Sequence, residues 1–153
     1  MVRRGLLFSV LFSTVIFSTF NAAAQDRKYI NLPRPDSVKT APFSEAVLTG
    51  DTLYLAGQIG LDPKTRKPGA TPEEEAKLAL DSIKRVLEAA GMTMDDLVSV
   101  QVFCSDVSLF DAFNGVYRTY FHENYPARAF IGSGKLLFDA RFEVQGIAVR
   151  RHK

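Results

Sequence analysis

Two charged side chains stand in segments that otherwise have the composition of buried strands, and they are the first candidates for chemistry. Arg128 lies within the apolar residues 127–131, and Glu143 lies within residues 142–149. An unpaired charge is costly to remove from water, so each side chain needs a partner. The guanidinium of Arg128 presents a planar fork that matches a carboxylate in two places. Two interpretations stay open: an internal ion pair between Arg128 and Glu143, or a site for an acidic small molecule.

The signatures of covalent, phosphate-binding and metal chemistry do not occur in the sequence. It has no G-x-S-x-G, no glycine-rich phosphate loop, no H-E-x-x-H and no C-x-x-C. Cys104 follows alternating apolar residues and is interpreted as a core side chain rather than a reactive thiol. His122, beside Glu123, is interpreted as a solvated residue at a helix end. With one cysteine and two histidines, no disulfide, metal site or cofactor is expected.

Length, composition and charge describe one globular domain of nearly neutral charge. The chain has 153 residues, of which 46% are hydrophobic and 24% charged, which is ordinary for a folded domain. It carries 19 basic and 17 acidic side chains, and two of the basic ones are Arg3 and Arg4. Because nucleic-acid affinity depends on an excess of Lys and Arg, this balance argues against a nucleic-acid partner.

The first 24 residues have the pattern of a secretory signal peptide. Arg3 and Arg4 precede an apolar run at 6–17, and small residues at 22–24 precede the polar Gln25. An uncleaved membrane anchor is the alternative, but the run is short for a bilayer and contains serine and threonine. We therefore predict cleavage near Ala24, with a periplasmic or secreted domain at 25–153 and no membrane association afterwards.

The elements that must position Arg128 and Glu143 can be located from turn and periodicity signals. Residues 25–42 are polar and contain three prolines, which predicts an extended lead-in. Apolar runs at 46–49 and 52–56 flank Gly50 and Asp51, which predicts a hairpin with a type II′ turn. Further strands are predicted at 98–104, 127–131 and 142–149, the first with Val98, Val100, Val102 and Cys104 on its core face.

Two amphipathic helices are predicted between these strands. Thr71, Pro72 and Glu74 form a capping-box pattern, an apolar stripe follows, and Gly91 supplies the stop. Ser108 is expected to cap a second helix, which Pro126 prevents from continuing. The helix also carries Val116 and Phe121. Its aromatic stripe is interpreted as core or interface: Phe110, Phe113, Tyr117 and Tyr120.

This order of elements predicts an α+β domain with both helices on one face of a mixed sheet. Two helices are too few to cover both faces of a sheet of five or more strands. The last strand nevertheless carries apolar residues on both sides, such as Val144 and Ile147. An apolar face without a helix needs another partner, so a symmetric oligomer is expected.

Four motifs in this order resemble the RidA (YjgF/YER057c/UK114) family. The resemblance runs over residues 42–151, and the closing strand motif surrounds Glu143. The motifs are Ala41-Pro42-Phe43-Ser44-Glu45, Ala56-Gly57-Gln58-Ile59, Asn124-Tyr125-Pro126-Ala127-Arg128 and Phe142-Glu143-Val144-Gln145-Gly146-Ile147-Ala148-Val149. The resemblance implies a chorismate-mutase-like fold, a homotrimer and ligand sites in the clefts between subunits.

The resemblance also implies a reaction: cofactor-independent hydrolysis of 2-imino acids, such as 2-iminobutanoate and 2-iminopropanoate, to 2-keto acids and ammonia. By motif position, Arg128 corresponds to the residue that binds the substrate carboxylate, and Glu143 to the one that positions the attacking water. The expected ligand is a small imine or enamine that carries a carboxylate. Further residues match positions that line the cleft: Phe43, Ala56, Gly57, Asn114, Ala129 and Phe130.

Three positions depart from the usual family sequence and leave alternative functions open. Phe43 replaces a tyrosine, Phe130 replaces a cysteine, and residues 134–138 replace a Leu-Pro loop with an apolar one. The first alternative is a trimer that binds small carboxylates without turnover. The second is a macromolecular role, such as RNA cleavage or chaperone activity, as attributed to some members of the family.

Overall fold

The computed structural model describes residues 26–33 and 41–151, so the predicted signal peptide at 1–24 lies outside the described residues. The strands form one mixed sheet in the order β1-β2-β3-β6-β4-β5, in which only β4 and β5 are parallel neighbours. They are β1 (Arg27–Ile30), β2 (Ala46–Thr49), β3 (Thr52–Ile59), β4 (Leu97–Cys104), β5 (Ala127–Gly132) and β6 (Phe142–Val149), and the helices are α1 (Pro72–Ala89) and α2 (Phe110–Tyr117). No helix in the described ranges is long and apolar enough to cross a bilayer.

The hairpin of β2 and β3 is confirmed, and the lead-in contributes a strand that the sequence did not predict. Gly50 has a φ of 55°, which suits the first turn position of a type II′ turn. Within the described part of the lead-in, residues 27–30 are extended as expected, but they form strand β1, which pairs antiparallel with β2 at the edge of the sheet. Only Ile30 of β1 is buried, so the strand has no apolar alternation that would reveal it.

Helix α1 forms as its sequence predicts. The Thr71 hydroxyl accepts from the Glu74 amide, and the Glu74 carboxylate accepts from the Thr71 amide, which completes the capping box. Gly91 follows the helix with a φ of 71°, a conformation that favours glycine. The predicted stripe is the buried face of the helix: Ala76, Ala79, Leu80, Ile83, Val86, Leu87 and Ala90.

The start of the second helix differs from the prediction. Ser108 does not cap it; instead the Asp106 carboxylate accepts from the Ser108 amide at 2.9 Å and caps a 3-10 turn over Val107–Leu109. Helix α2 then begins at Phe110 and ends at Tyr117, and another 3-10 turn, Arg118–Tyr120, follows. The Tyr120 hydroxyl, in this second 3-10 turn, donates to Asp81 of α1 at 2.7 Å. This hydrogen bond joins the segment after α2 to α1.

Both helices lie on one face of the sheet, which confirms the α+β architecture. Val100, Val102 and Cys104 of β4 are buried on that face, as predicted. Val98 was also expected there and is 47% exposed, because the β4–β6 register is irregular between Leu97 and Ser99 and the alternation shifts there. The other face leaves Tyr54 half exposed, and its covering by a homotrimer stays a prediction.

Candidate functional site

Arg128 lies on the helix-side face of β5, beneath α2. Its Cα is paired with that of buried Val100, so both side chains point to the same face. The guanidinium Nη2 donates to Asn114 Oδ1 at 2.7 Å, and Asn114 is itself buried in α2. Strand β5 therefore carries the charged residue, and Asn114 of helix α2 orients the guanidinium of Arg128. The structure brings these two predicted site residues together.

Half of the Arg128 fork has no acceptor. Nη1 is buried and has no hydrogen-bond partner among the described residues, and the same is true of the Tyr117 hydroxyl. A buried donor without a partner costs about 1–3 kcal/mol, and a charged one costs more. A carboxylate is the group best suited to satisfy a guanidinium. The arrangement is that of an anion site with its protein donors in place.

Aromatic rings surround the Arg128 guanidinium. Its central carbon lies 4.5 Å from the ring centroid of Tyr117, 5.8 Å from that of Phe110 and 5.9 Å from that of Phe130. Cation–π attraction at such distances stabilises a partly desolvated charge without using its donors. Burial raises the pKa of Tyr117 to about 12, against the opposing positive charge of Arg128. The Tyr117 hydroxyl therefore stays protonated and remains a donor at neutral pH.

Glu143 lies on the other face of the sheet. It follows buried Phe142 and precedes buried Val144, and its Cα is paired with those of Ile59 and Phe103 in the neighbouring strands. A Cβ added at Gly57 would overlap the Glu143 carboxylate oxygen Oε1. Gly57 therefore lies directly against this carboxylate, and the structure brings these two predicted site residues together.

A bulge in β3 creates the space for Glu143. The β3–β6 register shifts between Leu55 and Gln58, so Ala56 and Gly57 form the irregular part of the strand. The Ala56 amide donates to the Glu45 carbonyl at 2.9 Å, which continues the β2–β3 pairing beyond Ala46 and Leu55. Bulges of this kind redirect side chains and are common beside active sites. Ala56 thus contributes through its backbone.

The structure does not bring Arg128 and Glu143 together within one chain. Their side chains leave opposite faces of the sheet, and β4 lies between the strands that carry them. The internal ion pair, one of the two interpretations open from the sequence, is therefore not formed. We define two half-sites: the arginine half-site, with Arg128, Asn114 and Phe130, and the glutamate half-site, with Glu143, Gly57 and Ala56.

Two other predicted site residues belong to neither half-site by contact. Phe43 is 55% exposed and lies in the loop before β2. Ala129 follows Arg128 on β5 and points to the opposite face, where it is exposed. Phe130, in contrast, packs edge-to-face on Phe110 with ring centroids 5.1 Å apart. It therefore forms part of the wall beside the arginine.

The loop before β6 lies beside the glutamate half-site. Lys135, Asp139 and the residues between them line an open, shallow pocket of about 530 Å³ together with Glu143. Leu137 and Phe138 are largely exposed there, and Phe138 and Asp139 have φ values of 60° and 56°, which are unusual for side chains of this size. An ion pair of 2.8 Å joins Lys135 to Asp139. Apolar side chains of the loop that departs from the usual family sequence thus line the same pocket as this carboxylate.

The structure agrees with the interpretation of Cys104 as a core side chain and of His122 as a solvated residue. Cys104 is fully buried, and burial raises the pKa of its thiol, so it is a core side chain. His122 is exposed and contacts Asp95, with 3.1 Å between Nδ1 and Oδ2. Across residues 26–33 and 41–151, no three His, Cys, Asp or Glu side chains are grouped as a metal site would require.

Sequence reasoning missed two groups that shape the half-sites. Tyr117 was assigned to core or interface, yet its ring and hydroxyl lie against Arg128. Glu75 was not singled out, although it is completely buried beside the start of β6. The available signal was a third acidic residue at Glu75 on the apolar face of α1, in phase with Ala79.

Comparison with known proteins identifies relatives that this chain matches over most of their length. Residues 34–150 match the family model described as Endoribonuclease L-PSP. A protein of Capra hircus named 2-iminobutanoate/2-iminopropanoate deaminase is 40% identical over 111 residues, which cover 71% of this chain and 80% of the relative. A RutC family protein of Saccharolobus solfataricus is 42% identical over 108 residues, which cover 70% and 86%.

Solved structures agree with the fold. The YjgF gene product of E. coli superposes with a TM-score of 0.74 at 32% identity, covering 81% of this chain and 99% of that one. E. coli TdcF with bound serine gives a TM-score of 0.73 at 29% identity, covering 81% and 100%. With the matched family model and the four motifs of the sequence, these likenesses show that the chain belongs to the endoribonuclease L-PSP family, which includes the RidA and YjgF proteins.

Proposed function

We propose that the protein is an exported deaminase that hydrolyses 2-imino acids to 2-keto acids and ammonia. The observation that carries this proposal is the unpaired, buried Nη1 of Arg128, which calls for an acceptor such as a substrate carboxylate. The names of relatives such as the Capra hircus protein support the same reaction. Export rests on the sequence of residues 1–24, and it requires a source of imines outside the cytoplasm, such as an amino-acid oxidase.

The reaction requires orientation, a water molecule and one proton acceptor. A protonated imine is already electrophilic, so the water oxygen can form a bond to the imine carbon while the C=N electron pair moves to nitrogen. Glu143 accepts the proton that the attacking water loses. Glu143 returns that proton to the carbinolamine nitrogen, and the C–N bond breaks as ammonia leaves. The hydroxyl passes its proton to Glu143 as the C=O group forms, and ammonia or solvent then takes this proton from Glu143. Arg128 holds the carboxylate so that this carbon stays beside the water.

The two half-sites lie on opposite faces of one sheet, so we place each complete site between two subunits of a homotrimer. The arginine half-site of one subunit would face the glutamate half-site of its neighbour. The exposed side chains of the helix-free face, such as half-exposed Tyr54, would be covered by the same association. A symmetric trimer would then contain three equivalent sites.

Mixed trimers test this arrangement. We expect Arg128→Ala and Glu143→Gln to be inactive alone and to regain activity when the two are unfolded together and refolded as one mixture. With random assembly of equal amounts, about a quarter of the sites combine an intact arginine half-site with an intact glutamate half-site. The assay generates imines with an amino-acid oxidase and traps the unhydrolysed fraction with semicarbazide.

The outcome of mixing separates two explanations. Activity near a quarter of wild type supports sites between subunits. No recovery, with trimers confirmed by sedimentation, means that both residues act from one chain. A monomer at micromolar concentration would contradict the trimer itself.

Gly57→Ala should reduce turnover by displacing Glu143. The added methyl would overlap Glu143 Oε1, so the carboxylate must leave its position, and a shift of about 1 Å can lower rates by about 100-fold. Gly115→Ala is the matched control, because a Cβ there meets no atom within 4 Å and alanine favours the helix. The variants are compared by kcat and thermal unfolding. Unchanged kcat in Gly57→Ala would contradict the role of this contact.

Binding without turnover is the second candidate function, and the exposed ring of Phe43 favours it. Phe43 offers no hydroxyl where a tyrosine is usual, so a possible proton donor or acceptor is missing. A protein of this kind would bind small carboxylates through Arg128 and leave imine trapping unchanged. Calorimetric titration with carboxylates, compared between wild type and Arg128→Ala, would detect it.

A further inference from the structure

Glu75 is a buried carboxylate that holds the beginning of β6. It has no exposed surface, although its neighbours Glu73 and Glu74 in the first turn of α1 are at least partly exposed. Its Oε1 accepts from the backbone amides of Arg141 and Phe142. Its Oε2 accepts from the Arg141 guanidinium at 2.7 Å. One side chain on a helix therefore fixes two successive amides where a strand starts.

The surroundings of Glu75 leave little room for movement. A Cβ added at Gly60 would overlap the Glu75 carbonyl oxygen, and one at Gly69 would overlap the Glu75 amide nitrogen. Arg141 extends the contact, because its Nη1 also donates to the Gly69 carbonyl at 3.0 Å. The end of β3, the start of α1 and the start of β6 thus meet at one ion pair, whose carboxylate is buried and whose guanidinium is partly exposed.

This ion pair lies directly before the proposed water-positioning residue. The second amide bound by Glu75 belongs to Phe142, and the next residue is Glu143. The Glu143 carboxylate rests against Gly57, three residues before Gly60. Glu75 therefore binds the start of β6, the strand that carries Glu143. It also lies against Gly60, three residues after the glycine that contacts the Glu143 carboxylate.

We propose that Glu75, together with Arg141, is a positioning residue that holds Glu143 in register against Gly57. The proposal rests on the proposed deaminase activity for its kinetic consequence. Glu75 does not reach the helix-free face and touches no substrate. Its carboxylate sets the start of β6, and through it the place from which Glu143 acts on the water.

Kinetics of two substitutions test this role. Glu75→Ala removes the acceptor of both amides and should lower kcat by about 10- to 100-fold, the range expected for misplacement of a reacting group. KM should change less than about threefold, because the arginine half-site is intact. Glu75→Gln keeps a neutral acceptor oxygen and should restore most of kcat. Equal losses in the two variants, or a loss confined to KM, would overturn the proposal.

Asp96 provides the matched control at the other end of β6. It is also a buried carboxylate, it accepts from the Thr93 amide and hydroxyl, and it pairs with Arg151 at 3.0 Å. It precedes Leu97, whose partner in β6 is Ala148. Asp96→Ala should lower stability without a specific loss of kcat. A comparable loss of kcat would show that any buried ion pair has this effect.

Hydrogen exchange tests the same role without activity. In Glu75→Ala, loss of the shared acceptor should speed exchange at the Arg141 and Phe142 amides by about 10-fold relative to the Ala148 amide, whereas Glu75→Gln, which keeps an acceptor oxygen, should exchange nearly as wild type. An unchanged ratio of these exchange rates in Glu75→Ala would overturn the proposal. If Glu75→Ala does not fold, Arg141→Ala, which removes the partner of the carboxylate, takes its place in both measurements, with smaller changes expected in the same direction. If wild type hydrolyses no imine, the proposed function fails, while the exchange result still decides whether Glu75 holds β6.

Discussion

Arg128→Ala is expected to lower kcat/KM for imine hydrolysis by about 30- to 3,000-fold. Loss of a charge-assisted contact to a carboxylate costs about 2–5 kcal/mol, and each tenfold change in rate corresponds to about 1.4 kcal/mol. The substitution also removes the cation that lies 4.5 Å from the Tyr117 ring centroid. Suppression of semicarbazide trapping by the mature protein measures the effect.

Two further variants identify the cause of that loss. Arg128→Lys keeps the charge but loses the planar fork, so it should recover only part of the activity. Arg118→Ala removes an exposed arginine just after α2 and should leave activity unchanged. Wild-type activity in Arg128→Ala would show that the carboxylate is bound elsewhere. Full activity in Arg128→Lys would show that charge alone, without the fork, is sufficient.

Glu143→Gln is expected to lower kcat by about 100- to 10,000-fold, the range for loss of a general acid–base group. Glutamine has nearly the same shape, so it should still rest against Gly57 without accepting a proton. KM should change little because Arg128, in the other half-site, still binds the carboxylate. Single-turnover measurement of keto-acid formation separates the chemical step from product release.

The control for Glu143→Gln is Glu123→Gln, which neutralises an exposed acidic residue far along the chain from β6. It should keep wild-type kcat. Retention of kcat in Glu143→Gln would require another proton acceptor, and the proposal for this residue would be wrong. Equal losses of kcat in Glu143→Gln and Glu123→Gln would indicate that the total negative charge, and not Glu143 itself, affects turnover.

RNA cleavage, the activity that the name of the endoribonuclease L-PSP family describes, has less support in this chain. The 19 basic and 17 acidic side chains nearly balance, whereas nucleic-acid binding draws on a basic surface. The unpaired Arg128 donor is buried among aromatic side chains, where a single small carboxylate fits better than a phosphate backbone. Cleavage of RNA that survives Arg128→Ala and Glu143→Gln would assign that activity to another surface.

Local signals in the sequence were sufficient for most of the fold. The capping box at Thr71 and Glu74, the stripe of α1 and the turn at Gly50 depend on residues close in sequence, so they form as predicted. Edge strand β1 and the start of α2 were missed. Pairing with β2 decides the first, and the competing cap from Asp106 decides the second.

The sequence by itself also determined the two residues on which the proposed chemistry depends. Arg128 and Glu143 could be identified because a charge in an apolar strand must have a partner. Spacing along the chain could not decide whether they are partners of one another. Side-chain direction follows the register of strands far apart in sequence, and a shift of one residue reverses the face.

Only the tertiary structure decided that the two charges lie on opposite faces, with the Arg128 fork half satisfied by Asn114. It also revealed the bulge at Gly57 and the carboxylate of Glu75 beneath the start of β6. These features depend on contacts between β3, α1, α2 and β6 that no local pattern encodes. The sequence identifies the proposed reacting groups because a charge within an apolar strand is a local anomaly, whereas their geometry arises from long-range packing.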